Sequence, residues 1–307
     1  MSELIRQALS SDIELLARTN DTLLSHCGKM LRPMLSLLMG RICGGGGEDG
    51  IKYAAAVELL HNATLLHDDV ADRSPERRGI PTVNALLGPG AAVLVGDFWL
   101  AKTVEMLYGA SSRREEVMHL FSQTLVNLAE GEMLQLEKAS LADTSREEYF
   151  RIIYCKTASL FVTACACAAC AADAPAEYVD AARSYGRAAG LAFQIKDDIL
   201  DYCGDAAMGK PAGMDLHECK ITLPLLCALS ESDREVEIRN MVRDIPAHPE
   251  YRDRVLQFVK ENDGVPRAAR ILDEYIAQAV HSLDLFPVSE ARDLLVQMTE
   301  FIALRQI

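Results

Sequence analysis

Apolar residues recur at three- and four-residue spacings along almost the whole chain, and this single period constrains the fold more than any other feature. Segments such as DIELLARTNDTLLSHC, AAAVELLHNATLLHDDV and EEVMHLFSQTLVNLAEGEMLQLEKA carry the pattern of helices that bury a face or a whole circumference. The alternation that a half-buried strand requires is scarce, and so are β-branched runs. Helices that must cover such stripes do so by packing on one another. The breaks are CGGGGEDG from Cys43, GIPTVNALLGPG from Gly79 and CGDAAMGKPAGMD from Cys203, Gly/Pro clusters of the kind that punctuate helices. No Pro/Ser-rich linker or low-complexity tract divides the 307 residues, so one large all-α domain over 1–307 is expected.

Charge narrows the partners. With 45 acidic against 31 basic residues the net charge is -14, which argues against nucleic acid, since that calls for a basic stripe. Anionic substrates stay open, because a metal ion inverts the local charge of an acidic site. MSELIRQALSSDIELL lacks the apolar core of a leader, so a cytoplasmic protein with free thiols is expected from its nine cysteines. The run TASLFVTACACAACAA, Thr157 to Ala172, is short for a membrane span and reads as a buried helix. Cys165, Cys167 and Cys170 within it lack the second ligand pair of a metal cluster and read as small packing residues. Gly44 to Gly47 lacks the GK[ST] ending of a phosphate-binding loop and reads as a connection.

Two segments carry the chemistry. LLHDDVAD ends one apolar run with Asp68, Asp69 and Asp72, and IKDDILD repeats the arrangement with Asp197, Asp198 and Asp201. On a helix the first and last aspartate of each copy stack on one face. That places two carboxylates where they can share a hard cation such as Mg²⁺, which takes one or two carboxylates plus substrate phosphates. Basic residues surround both copies: Lys29 and Arg32 in GKMLRP, Arg77 and Arg78 in ERRG, Lys210 in GKPAG and Lys220 in CKITLP. Arg suits forked recognition of phosphate and Lys suits point-charge contact. Together they point to two anionic groups, one held through metal and one held by cations directly.

With these motifs the chain resembles the all-trans polyprenyl diphosphate synthases from GKMLRP through ELLHNATLLHDDVAD, RRG, EGEMLQL, YCKTASLF, FQIKDDILDY and KITLPL. The resemblance implies an isoprenoid synthase fold, a single helical bundle around a central active-site cavity. It also implies a homodimer and Mg²⁺-dependent condensation of an allylic diphosphate with isopentenyl diphosphate. Carried across, Asp68 and Asp72 would hold Mg²⁺ on the allylic diphosphate, Asp197 a further ion, and Asp201 and Asp198 would complete the second site. Six aspartates would then face about three Mg²⁺ ions and roughly balance them. Arg77, Lys156, Lys210 and Lys220 would neutralise the allylic diphosphate, and Lys29, Arg32, His61 and Arg78 would bind isopentenyl diphosphate. The Thr157 and Gln194 oxygens would face the allylic cation, with the departing diphosphate taking the proton. The loop with Gly204, Gly209 and Gly213 would close and carry Lys210 inward. Two positions depart from the first basic motif, Cys27 and Met30, and Cys219 stands where a Gly often precedes Lys220.

Product length is expected to be set above the first motif. Ala63 lies five residues before Asp68, about 7.5 Å along the axis; the resemblance implies that a small residue here, with Thr64, leaves a tunnel open toward Leu60 for a long-chain product. EGEMLQL is similar to the synthases of long quinone side chains. Release of so apolar a product would involve transient contact with a membrane. The rival readings are a shorter-chain farnesyl or geranylgeranyl diphosphate synthase, a terpene cyclase and one subunit of a two-chain synthase. The second basic group and the six retained aspartates count against the last two.

Overall fold

A computed structural model describes residues 1–26, 28–204 and 212–305 of the chain. Cys27, Gly209 and Lys210 lie outside the described residues. Regular structure is helical apart from one two-stranded hairpin, as the period of the sequence demands. The chain forms two compact units, neither of them one continuous stretch. The first comprises Met1–Phe121, Thr163–Ala182 and Phe286–Arg292, and the second Ser122–Val162, Arg183–Leu285 and Asp293–Ile307.

The first unit is organised on the Gly47–Ala71 helix, whose residues Tyr53 to Leu60 are all buried. A helix apolar on every side has to be a core helix, and this one ends in the first aspartate motif. Its start is pinned by Asp49, whose carboxylate accepts from the backbone N–H and hydroxyl of both Ser111 and Ser112 at 2.8–3.1 Å. The neighbouring Pro89–Tyr108 helix buries Trp99, which donates its indole N–H to Asn20 Oδ1 at 2.8 Å. Asn20, itself buried, donates to the Leu9 carbonyl at 2.8 Å and so ties the N-terminal helices to the core.

In the second unit the helical stretch from Arg146 is started by a capping box. The Ser145 hydroxyl accepts from the Glu148 N–H at 3.2 Å, and the Glu148 carboxylate accepts from the Ser145 N–H at 2.8 Å. An α-helical segment, Arg146–Ile153, passes into a π-helical turn, Tyr154–Ala158, and returns to α-helix over Ser159–Ala171. The whole stretch is long and apolar enough to cross a membrane, but 83% of its apolar window is buried. It is a core helix, as its Ala, Cys and Thr content implies. The eight cysteines among the described residues are free thiols.

The Ala176–Cys203 helix lies against this stretch along one row of residues spaced by four. A Cβ on Gly186 would stand 2.6 Å from the Phe161 carbonyl oxygen, and one on Gly190 would stand 2.6 Å from Ala158 Cα. Further along the row Gln194 meets Thr157 and Asp198 meets Tyr149. One partner number falls as the other rises, so the two helices run antiparallel over about 18 Å. Two glycines bring the backbones together at one end, and polar side chains meet at the other. Gly186→Val should therefore cost about 2–3 kcal/mol, the price of overpacking against a backbone that cannot yield, read as a lowered midpoint in urea unfolding.

Candidate active site

The first constellation belongs to the first unit. The Asp72 N–H donates to the Asp68 carbonyl at 2.8 Å, so the helical turn carries through the motif and both outer carboxylates share a face. Asp69 points elsewhere. It is buried, and its Oδ1 accepts from Arg77 Nε at 2.6 Å. Burial raises the Asp69 carboxyl while the Arg77 contact opposes the rise. Arg77 sits in a hairpin whose strands are Glu76–Arg77 and Ile80–Pro81. The two loop residues, Arg78 and Gly79, both have positive φ, 54° and 79°, the backbone of a type I′ turn. The ERRG sequence is thus a tight turn that presents Arg78 at its tip, where Arg78 donates to the His26 carbonyl at 3.2 Å.

Arg32 Nη1 lies 3.1 Å from His61 Nε2. A guanidinium only donates, so this imidazole nitrogen accepts and the ring proton resides on Nδ1. Burial, followed by the charges of Arg32, Arg78 and Arg77, holds the His61 pKa well below the ordinary histidine value. His61 is a neutral residue within a positive cluster. Lys29, three residues before Arg32, is exposed, and Ala63 and Leu60 are buried on the helix that carries His61, with Thr64 half-buried.

The second constellation belongs to the second unit. Asp197 Oδ1 accepts from Arg305 Nη2 at 2.6 Å, and the Arg305 guanidinium lies 4.2 Å from the Phe193 ring centroid. Asp201 accepts from the backbone N–H groups of Met214 and Asp215 at 2.9 and 3.3 Å. Asp198 is buried. Its Oδ2 accepts from the Tyr149 hydroxyl at 2.6 Å and its Oδ1 from Gln194 Nε2 at 2.9 Å. Gln194 Oε1 accepts from the Thr157 hydroxyl at 2.7 Å. Lys156 forms an ion pair with Glu132, and Lys220 one with Glu218. Burial raises Asp198, Asp201 and Asp215, with neighbouring carboxylates adding to the rise. Cys219 adopts φ 56°, a left-handed conformation that a glycine takes without strain.

The donors fit a divalent hard cation. Asp68 and Asp72 offer carboxylate oxygens one turn apart, and Asp197 and Asp201 repeat that spacing near Asp215, a buried carboxyl that burial and the Asp201 charge push up. Among the described residues no three metal-binding side chains converge into a finished cage. That suits an ion which completes its shell with substrate phosphates.

The family model described as Polyprenyl synthetase matches residues 13–259. The chain belongs to the polyprenyl synthetase family. The octaprenyl diphosphate synthase of Escherichia coli (strain K12) is 35% identical over 305 residues, covering 98% of this chain and 93% of that protein. The short chain isoprenyl diphosphate synthase of Methanothermobacter thermautotrophicus is 33% identical over 313 residues, covering 99% of this chain and 95% of that protein. The crystal structure of a polyprenyl synthase from Caulobacter crescentus CB15, complexed with calcium and isoprenyl diphosphate, matches with a TM-score of 0.89 at 33% identity, over 99% of this chain and 93% of that one. The protein is therefore a polyprenyl diphosphate synthase, a prenyltransferase of a family that uses divalent metal ions.

Several residues of the synthase site escape a reading of the sequence. Glu132 follows Gly131 in EGEMLQL and is the carboxylate on which Lys156 rests. A Cβ on Gly131 would stand 2.6 Å from Cys155 Cβ, so this glycine admits the π-helical turn that carries Lys156. Tyr149 and Arg305 give no local signal, since each meets its aspartate only through the fold. Among the six aspartates of the two motifs, Asp69 and Asp198 are the two that are buried, Asp69 against Arg77 and Asp198 against Tyr149 and Gln194.

A pH dependence follows. Above about pH 6.5 His61, neutral in the fold, is also losing its proton in the unfolded chain, and above about pH 7.5 it drops out. Asp198, Asp201 and Asp215 have folded pKa values raised above the unfolded ones, so the fold binds more protons and loses stability as pH rises. In EDTA the melting temperature should fall between about pH 6.5 and 8. Mg²⁺ with inorganic diphosphate should raise it more at the upper end than at the lower, as differential scanning fluorimetry would show.

Proposed function

We propose that the protein condenses an allylic diphosphate with successive isopentenyl diphosphate units to an all-trans polyprenyl diphosphate of about seven or more units, the length of a quinone side chain. The observation that carries the length is the wall above the first aspartate motif. Ala63 is buried and small, Leu60 and Ala56 continue the same face, and Thr64 turns its hydroxyl back to the His61 carbonyl at 2.8 Å. No bulky aromatic side chain stands at these positions. The octaprenyl relative supports the long-chain reading.

In this reading Asp68 and Asp72 would hold Mg²⁺ for the allylic diphosphate and Asp197 and Asp201 would hold further Mg²⁺, about three ions in all. Bound Mg²⁺ supplies Lewis-acid stabilisation of the leaving diphosphate. The chain's own residues do the remaining work. Arg77, Lys156, Lys210 and Lys220 stabilise the charge that develops on the leaving group, with Arg77, Lys156 and Lys220 exchanging their resting carboxylate partners for phosphate oxygens. Lys29, Arg32, Arg78 and neutral His61 bind and orient isopentenyl diphosphate. The Thr157 and Gln194 oxygens turn lone pairs toward the allylic cation. We place the reaction in the cytoplasm, consistent with the free thiols, with transient membrane contact on product release.

Incubation with Mg²⁺, farnesyl diphosphate and labelled isopentenyl diphosphate should give a long-chain product, and Ala63→Tyr should shorten it on thin-layer separation. An unchanged length in that variant would remove the tunnel from the account. Failure of the protein alone to incorporate label would instead favour a two-chain enzyme.

The homodimer reading draws support from one exposed stripe. Leu94 and Tyr108 project from the Pro89–Tyr108 helix two heptads apart, 70% and 72% exposed. Such a stripe on a surface helix marks a protein–protein contact. Light scattering after size exclusion should give a dimer for the wild type and half that mass for Leu94→Glu.

A further inference from the structure

The π-helical turn has a geometric effect on the site. In an uninterrupted α-helix, seven residues return to within about 20° of the same face, so the residue below Tyr149 would be Lys156. The extra residue of the π turn over Tyr154–Ala158 moves that place to Thr157. Tyr149 and Thr157, eight apart, consequently both address the Gln194–Asp198 pair, whose members are four apart on the facing helix. Turns of this kind recur at functional sites.

The hydrogen bonds form one directed chain. The Tyr149 hydroxyl donates to Asp198 Oδ2 at 2.6 Å, and Gln194 Nε2 donates to Asp198 Oδ1 at 2.9 Å. Thr157 donates to Gln194 Oε1 at 2.7 Å. The Gln194 amide cannot be reversed without setting its oxygen against a carboxylate oxygen of Asp198. The only hydroxyl proton of Thr157 is spent on Gln194, so the Thr157 hydroxyl oxygen and the Gln194 carbonyl oxygen have only lone pairs left to offer outward. Asp198, with both oxygens occupied and the side chain buried, serves the amide.

We propose that Tyr149 is a positioning residue which, through Asp198, fixes the Gln194 amide so that its carbonyl oxygen, with that of the Thr157 hydroxyl, faces the reacting carbon, and that Asp198 acts as this bracket instead of as a metal ligand. The inference rests on the reading that Gln194 and Thr157 face the allylic cation. Tyr149→Phe removes one hydroxyl from the end of the chain and leaves the ring in place. It should lower kcat about tenfold, the worth of one oriented hydrogen bond, while the KM for isopentenyl diphosphate holds.

The decisive comparison is the double variant. If Tyr149 works through Gln194, Tyr149→Phe costs nothing further in a Gln194→Ala background; losses that multiply, or a Tyr149→Phe enzyme with wild-type kcat, would overturn the assignment. A fully active Gln194→Ala enzyme would overturn the reading of Gln194 itself, and the bracket with it. Asp198→Asn provides a measurement independent of turnover. Its melting temperature should rise on adding Mg²⁺ and inorganic diphosphate by as much as that of the wild type. Loss of that rise would make Asp198 a metal ligand and sink the proposal.

Discussion

A carboxylate withdrawn from water survives only where donors meet it, and both aspartate-bearing helices depend on such a meeting. In each motif the middle aspartate points away from its neighbours into the protein. Asp69 finds Arg77, and Asp198 finds Tyr149 and Gln194. These contacts fix the rotation of each helix end about its own axis. The outer aspartates are then left on a defined face, one turn apart. A motif with acidic residues only at its first and last positions would offer the same two carboxylates without anything to hold their direction.

The same economy governs the cations. Arg77, Lys156, Lys220 and Arg305 each rest on a carboxylate of their own unit. The arrangement keeps an acidic protein from accumulating unbalanced charge before substrate arrives. It also means that diphosphate affinity is a difference between two sets of ion pairs and is smaller than a count of basic residues suggests. Partly exposed pairs such as Lys156–Glu132 and Lys220–Glu218 are weak individually, so exchanging them for a multiply charged ligand with metal is favourable.

Helical period, the paired aspartates and the cluster of basic residues were legible in the sequence because each follows from local spacing. Asp68 and Asp72 needed only the knowledge that four residues make about one turn. The ERRG turn was legible as a break but not as a hairpin, because two-residue strands carry no periodic signal. Asp69 and Asp198 were not separable from their neighbours, since nothing local says which of two adjacent carboxylates is buried. The π-helical turn was invisible for a related reason. YCKTA is ordinary in composition, and the insertion is stabilised by Gly131 and by the facing helix, contacts between residues far apart in sequence.

The seam of Gly186, Gly190, Gln194 and Asp198 gives this enzyme a single adjustable dimension. The glycines set the distance between two helix axes, and the polar residues further along the same row must reach across that distance. Packing and polar reach are therefore one variable. A change that filled the glycine end for thermal robustness would lengthen the gap that Gln194 has to span, and the gain in stability would be taken from turnover. Variants of this enzyme selected for heat resistance would be expected to accumulate their changes elsewhere and to leave this row untouched.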